Sequence, residues 1–256
     1  MKLIFIKMIT IELKAGLGNQ LFQLAFLEYL SDIKHVDAFL TQHTAISPHS
    51  NTNYLYSIFE KWIKQWKPWE TVKHHVCEST TIAQQLPETG NTQYHGYFQY
   101  HQYVTDKFIQ KLTFPTNTLS KYPDIKSKVF IHIRGGDYLE GANQDIHHVK
   151  LENYYLRATE QFPTDTEYVV FTNDLNYAMT QPVLSTVKYA VINEPELESL
   201  YLMSQCKGGI CANSTFSWWG GFLNKHRKII LPSKWFVNSP AIVGDLYVPD
   251  WTVVDV

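Results

Sequence analysis

The chain has 256 residues, 45% of them hydrophobic, enough to bury a substantial core as one domain or as two compact halves. Its 18% charged residues sum to a formal net charge of −2, without the basic excess that a phosphate-tracking nucleic-acid binder uses, so nucleic acid is not an expected partner. Three cysteines, Cys77, Cys206 and Cys211, have the spacing of neither a zinc site nor a disulfide framework and fit a reducing, cytoplasmic setting.

The apolar stretch from Leu3 to Leu13 reads as a buried strand. Lys7 interrupts it before a signal-peptide core can form, and no later run approaches the roughly eighteen apolar residues of a spanning helix. The expectation is a soluble, cytoplasmic protein, at most peripheral to a membrane. Ala15-Gly16-Leu17-Gly18-Asn19-Gln20 then makes a tight turn, and LFQLAFLEYL can line one face of a helix. Residues 34 to 93, rich in Thr, His, Asn and Trp with weak periodicity, predict short helices and loops. Lys128 to Ile133 is short and β-branched and is closed by Arg134-Gly135-Gly136-Asp137, so it reads as a buried parallel strand. LENYYLRATEQF reads as a helix, and Tyr168-Val169-Val170-Phe171 as a second buried strand ending in Thr172-Asn173-Asp174. LESLYLMSQC is helical, GGICA is a short strand, and NSTFSWWGGFLN opens a further helix. Strands alternating with helices indicate an α/β chain with parallel sheets. The domain boundary is expected around Pro115 to Lys128, dividing residues 1–127 from 128–256.

Ligands of parallel α/β sheets bind at the carboxyl edge, so polar residues directly after buried strands carry the most weight. In Gly16-Leu17-Gly18-Asn19-Gln20 two glycines allow a close backbone approach to a ligand, and Asp37 sits where a ribose-binding acid would stand in a dinucleotide site. Leu21 occupies the third glycine position of that fingerprint, and an ordinary βα turn explains the segment as well. In His132-Ile133-Arg134-Gly135-Gly136-Asp137, strand alternation turns His132 and Arg134 to one side, which suits a diphosphate. Asp137 would hold the guanidinium or the turn, and an internal Arg-Asp salt bridge accounts for the pair equally. Asp174 fits a helix N-cap better than a ribose contact. Asn213-Ser214-Thr215-Phe216-Ser217 opens a helix with more hydroxyls than one cap needs, placing backbone N–H groups where a phosphate would sit. Trp218 and Trp219 read as core residues that lock this helix.

No phosphate loop, Asp-x-Asp pair or G-x-S-x-G elbow occurs, so no metal site is expected. The pairs His74-His75 and His147-His148 lack a helical partner at i, i+4 and read as loop or surface residues.

Taken together and in order, GLGNQLFQLAF, GYFQ (Gly96 to Gln99), HIRGGDY, FTND and CANSTFSWWGGFLN resemble the glycosyltransferase family 11 α-1,2-fucosyltransferases, and the resemblance runs through LPSKWF to LYVPDW. It implies a GT-B-like α/β fold of two Rossmann-like domains whose parallel sheets face a cleft, the N-terminal one on the acceptor side. It further implies GDP-β-L-fucose as donor, a galactose-containing glycan as acceptor, inversion at the fucose carbon, and no metal or other cofactor. By motif it assigns the donor to His132, Arg134, Asn213, Ser214, Thr215 and Phe216, with Asn19 from the other domain and Asp174 and Glu198 as further donor contacts. The catalytic residues it suggests are Arg134 for the leaving group, with Asp137 and His147 as alternative proton acceptors. Two departures stand out: Gly135 replaces the second arginine of HxRRGD, and Ser199 replaces an acid that would read guanine, with Glu198 one step away. By the same resemblance the chain is short for the family before Gly96. The competing readings are a dinucleotide-dependent oxidoreductase built on Gly16, Gly18 and Asp37, and a sugar-binding protein that has lost transfer.

Overall fold

The structure is a computed structural model and describes residues 8–38, 40, 45–62, the backbone of 73–76, 92–224, 227–238 and 246–256. The chain divides into two compact units, Met1–Thr113 and Phe114–Val256. The segment from Pro115 to Lys128 belongs to the second unit, where two 3-10 turns, Thr116–Lys121 and Ile125–Ser127, lead into its first strand.

In the N-terminal unit, β1 (Met8–Ile11) leads to α1 (Leu17–Lys34) and β2 (Asp37–Ala38). After two short 3-10 turns come β3 (Lys73–Val76), β4 (Thr92–His95) and α2 (Asp106–Lys111). The sheet is fully parallel in the order β2-β1-β4-β3. Leu21, Phe22, Leu24, Phe26 and Leu27 of α1 are buried, as the apolar pattern requires. The one acid among them, Glu28, is satisfied by Trp62 Nε1 at 2.6 Å and Lys111 Nζ at 2.9 Å, which joins α1 to its neighbours.

Residues 34 to 93 are richer in strand than the sequence predicts, because β2, β3 and the start of β4 fall there. These strands are two to four residues long, and Lys73-His74-His75-Val76 offers no apolar run. β4 alternates buried Thr92 and Tyr94 with half-buried Gln93 and His95, a period too short to register against polar surroundings. His74 and His75 therefore lie on a strand rather than in a loop. Cys77 and residues 1–7 lie outside the described residues, so the strand read from Leu3 to Leu13 is seen as Met8–Ile11.

The C-terminal unit is built from β5 (Val129–Ile133), α3 (Gly141–His147), α4 (Glu152–Thr159), β6 (Glu167–Thr172), α5 (Leu175–Met179) and β7 (Lys188–Val191). It continues through α6 (Glu196–Gln205), β8 (Gly208–Ile210), α7 (Thr215–Phe222), β9 (Lys228–Pro232) and β10 (Thr252–Val254). All six strands are parallel, in the order β10-β9-β8-β5-β6-β7. The chain therefore starts in the middle at β5, builds outward to β7, then returns to β8 and builds the other way. That reversal creates a topological switch point between β5 and β8, where doubly wound sheets bind ligands.

Every residue of β5 is buried, as expected of a central parallel strand. Two buried tyrosines of α4 satisfy strand-end carbonyls, Tyr155 bonding to His132 O at 2.9 Å and Tyr154 to Cys211 O at 2.7 Å. Trp218 and Trp219 are fully buried, and Trp218 Nε1 donates to Leu246 O at 2.6 Å, so this pair does lock α7 into the core.

Candidate active site

The loops after β5 and β8 flank the switch point, and they carry HIRGGDY and NSTFS. Arg134 follows β5 directly; its side chain is 9% exposed and its Nη2 lies 2.5 Å from Asp137 Oδ1. Its guanidinium lies over the Tyr138 ring at 4.8 Å. Tyr138 stacks in turn on His147, with centroids 4.9 Å apart, and His147 leans on Phe236 at 5.5 Å. The result is a column of one cation and three rings. Burial draws the His147 pKa down, Asp137 raises it, and Arg134 lowers it, the net direction being down. The ring is thus held toward its neutral form.

His132 is the penultimate residue of the buried strand β5, with 3% exposure. Burial, helped by the Arg134 charge, pushes its pKa down to about 3, so the imidazole is neutral. Its Nδ1 is buried without a hydrogen-bond partner among the described residues, and its ring lies 5.7 Å from that of Phe216 in the first turn of α7.

Asn213 fastens the two loops together. Its Nδ2 donates to His147 O and to Trp235 O, both at 2.8 Å, and its own carbonyl accepts from Tyr138 Oη at 3.3 Å. Ser214 stands at the N-cap of α7, yet its side chain makes no capping bond. The Ser217 hydroxyl bonds backward to Ala212 O and Ser214 O. The first N–H groups of this eight-residue helix, at Thr215 and Phe216, thus receive no side-chain cap, the arrangement that suits an anion.

The loop after β6 supports Arg134 from behind. Gly135 N donates to Asn173 Oδ1 at 3.0 Å and Asn173 Nδ2 returns a bond to Gly135 O at 3.2 Å. Asp174 uses one oxygen to cap α5 through Tyr177 N and the other to accept from Gly136 N, at 3.0 and 3.1 Å. The capping reading of Asp174 is thus seen directly. Gly136 has φ +59, a conformation that favours glycine. At Gly135 a Cβ would come within 2.8 Å of Tyr177 Cδ1 and 2.9 Å of Asp174 Cβ, so no arginine fits there with Tyr177 in place.

The structure thus gathers His132, Arg134, Asp137, His147, Asn213, Ser214, Thr215 and Phe216 around one switch point. It does not bring Glu198 in: that residue lies half-buried in the first turn of α6 and makes no hydrogen bond or ion pair to a described residue. Ser199 turns its hydroxyl to Glu194 O at 2.9 Å. Asn19 lies in the N-terminal unit, in the first turn of α1, where its Oδ1 accepts from Gln99 Nε2 at 2.7 Å. Sequence reasoning gave no role to Tyr138, Asn173, Tyr177 or Phe236. Tyr138, Asn173 and Phe236 stood inside quoted motifs, whereas nothing local marks Tyr177. Among the described residues no three His, Cys, Asp or Glu side chains cluster closely enough to hold a metal ion, and no helix is long and apolar enough to cross a membrane.

Comparison with known proteins bears on this geometry. The model of glycosyl transferase family 11 matches residues 2–255. The O-antigen biosynthesis glycosyltransferase WbnK of Escherichia coli is 34% identical over 119 residues, covering 43% of this chain and 39% of that protein. An alpha-1,2-colitosyltransferase of Escherichia coli is 28% identical over 166 residues, 57% of each chain. The matches thus span less than two thirds of these relatives. Among solved structures, fucosyltransferase NodZ from Bradyrhizobium is similar with a TM-score of 0.52 at 9% identity, over 84% of this chain and 92% of that one. A glycosyl transferase of family 9 from Veillonella parvula gives 0.51 at 13%, over 100% and 88%. At such identities the likeness shows the fold alone, a GT-B-like α/β architecture.

Proposed function

The chain belongs to glycosyl transferase family 11, and on that premise we propose that it is an inverting α-1,2-fucosyltransferase, moving L-fucose from GDP-β-L-fucose to the 2-hydroxyl of a galactose-containing glycan. The observation that carries this reading is the placement of Arg134 after β5 and of the uncapped start of α7 after β8, on the two sides of one switch point. A guanidinium and free helix N–H groups are what a nucleoside diphosphate needs as its bond to the sugar breaks. Fucose transfer then runs as one in-line displacement in which the β-phosphate takes up the leaving charge. Arg134 and the N–H groups of Thr215 and Phe216 stabilise that charge, Asp137 orients Arg134, and neutral His132 contributes a hydrogen bond without repelling the arginine. The 1,2 linkage draws support from the relative named alpha-1,2-colitosyltransferase, which also adds colitose as a second donor sugar for testing.

No metal takes part in this reading. The test is a galactoside array supplied with GDP-fucose, and in parallel a colitosyl donor, with and without excess EDTA. Fucosylated product formed in EDTA is the expected result. Loss of activity restored by Mg²⁺ or Mn²⁺ overturns the metal-free step. Saturable GDP-fucose binding without turnover on any acceptor points instead to a binding protein, and tight NAD binding without GDP binding to an oxidoreductase.

A further inference from the structure

The carboxyl edge of the N-terminal sheet carries polar groups that its own fold leaves unused. β1 and β4 are the two central strands and pair in parallel, so the segments that follow them, 12–20 and 96–100, leave at the same edge. Gln23 of α1 ties these segments together, accepting from Lys14 N and donating to Gly96 O, each at 3.0 Å. A second tie joins Gln99 Nε2 to Asn19 Oδ1 at 2.7 Å. Each segment also holds one non-glycine residue in the left-handed region, Ala15 at φ +64 and Phe98 at φ +49, and such costly conformations concentrate at functional sites. Phe98 is buried and stacks on Phe26 with centroids 3.8 Å apart, which helps hold the turn.

With Phe98 turned into the core, its neighbours face outward. Tyr97 is 44% exposed, and Lys14 Nζ lies 5.2 Å from its ring centroid, so one side of the ring meets an ammonium while the rest stays open. Asn19 and Gln99 are half-buried. Beyond the bond they share, Asn19 Nδ2 donates to no described residue and Gln99 Oε1 accepts from none. Tyr97 and Gln99 stand two residues apart, at most about 7 Å along the chain, which is the scale of one sugar ring. An open aromatic face beside a spare amide donor and a spare amide acceptor suits a hydroxyl-rich ring, whose C–H face packs on the aromatic while its hydroxyls give and take hydrogen bonds. The charges favour an uncharged ligand, because the Lys14 ammonium is offset by the Glu12 carboxylate two positions earlier, itself 40% exposed.

We propose, resting on the glycosyl-transfer reading, that this edge is a carbohydrate-binding subsite for the galactose-containing acceptor. A galactose ring lies with its C–H face on Tyr97, Asn19 Nδ2 donates to one of its hydroxyl oxygens, and Gln99 Oε1 accepts from another. Stacking engages a ring face and no particular hydroxyl, so the hydroxyl to be glycosylated stays unencumbered. Gln23, the Asn19–Gln99 bond and the Phe98 stack fix the backbone before any sugar arrives, which keeps the ordering cost of binding small. Asn19, which the motif resemblance gives to the donor, thereby serves the acceptor.

The experiment titrates the full chain, without donor, with galactose-terminated oligosaccharides, lactose first, by saturation-transfer NMR, with GDP affinity and Tm measured alongside. Wild type is compared with Tyr97→Ala, Tyr97→Phe, Asn19→Ala and Tyr56→Ala, the last removing an exposed tyrosine from the Tyr54–Tyr56 turn. Tyr97→Ala is expected to weaken galactoside binding about tenfold or more, and Tyr97→Phe to keep most of it because the ring remains. Asn19→Ala is expected to weaken it roughly two- to tenfold while GDP affinity holds. In transfer assays the loss should fall on the acceptor KM rather than on kcat. A folded Tyr97→Ala that binds galactosides as the wild type does overturns the proposal. So does an equal loss in Tyr56→Ala, or a wild type that binds none of the oligosaccharides. If Tyr97→Ala fails to fold, Asn19→Ala decides: galactoside affinity that holds, or GDP affinity lost in its place, overturns the proposal. A wild type that binds galactosides through Tyr97 yet transfers nothing defeats the transfer reading and leaves the subsite standing. One that transfers fucose while Tyr97→Ala keeps its acceptor KM defeats the subsite alone.

Discussion

In the C-terminal unit Arg134, Asn173, Asp174 and Asn213 all lie within three residues of the end of β5, β6 or β8, whereas the N-terminal unit makes its polar pairs from distant positions. Asn19 meets Gln99 across 80 positions and Glu12 meets His95 across 83. A parallel strand delivers whatever follows it to the ligand edge, so a contiguous motif can be read as a site before the fold is known. A pair formed by strand register has no signature in either segment alone. The six-stranded unit therefore advertises its chemistry and the four-stranded unit conceals it.

Replacing Arg134 tests the advertised half and carries the largest expected effect. Arg134→Ala should lower kcat for glycosyl transfer about 100- to 1000-fold, the usual loss for one preorganised donor to a developing anion. Arg134→Lys should recover little, since an ammonium cannot reproduce the forked geometry. Circular dichroism and Tm show whether the fold persists. A folded Arg134→Ala with near-normal kcat would make the Arg134–Asp137 pair a purely structural ion pair and would erase the distinction between the two units.

The same contrast sets how much of the molecule was legible. Buried β-branched strands closed by polar turns gave β5 and β6 to within a residue, and the tryptophans of α7 gave its core face. Between residues 34 and 93 the strands were too short and too polar to show a period. His147 could be matched to a family histidine, but its stack between Tyr138 and Phe236 depends on three separate segments. Gly135 was legible as a departure from HxRRGD. Its cause was not, because Tyr177 lies 42 positions away in sequence and fills the space from α5.

His132 gives a smaller effect that belongs to folding rather than to turnover. The unfolded chain takes up a proton near pH 6.5 that the folded chain refuses until about 3, because the imidazole is buried next to Arg134. The unfolded state therefore binds more protons through this window, and stability is lost progressively as pH falls below 6.5. Tm should drop more steeply between pH 7 and pH 4 in the wild type than in His132→Gln. Parallel slopes would mean that His132 titrates freely, which would remove the neutral imidazole from the advertised site.

Gly135→Ala probes the packing behind Arg134. The added methyl would press on Tyr177 and Asp174 at distances no ordinary Cβ adopts, so a destabilisation of about 1–3 kcal/mol is expected. For a chain of this size each kcal/mol corresponds to roughly 2–4 °C in Tm. In a Tyr177→Ala background the same substitution should cost less, since the nearest obstructing atom is gone. Equal costs in both backgrounds would place the strain on Asp174 Cβ and the Cβ retained at position 177 and would remove the Tyr177 ring as its cause.

The smallest effect tests the concealed half. Asn19 and Gln99 share one half-buried amide hydrogen bond, so Asn19→Ala and Gln99→Ala should each lose it and the double variant should lose it only once. A net hydrogen bond contributes about 0.5–1.5 kcal/mol, and the coupling energy from urea denaturation of the four proteins should fall in that range. Either amide can also bond to water in its partner's absence, which pulls the value toward the lower end. Coupling of this size would show that the GLGNQ turn and the GYFQ segment form one polar surface, assembled by the fold rather than written in either motif. Strict additivity would separate the two motifs and leave each segment to be held by its own contacts.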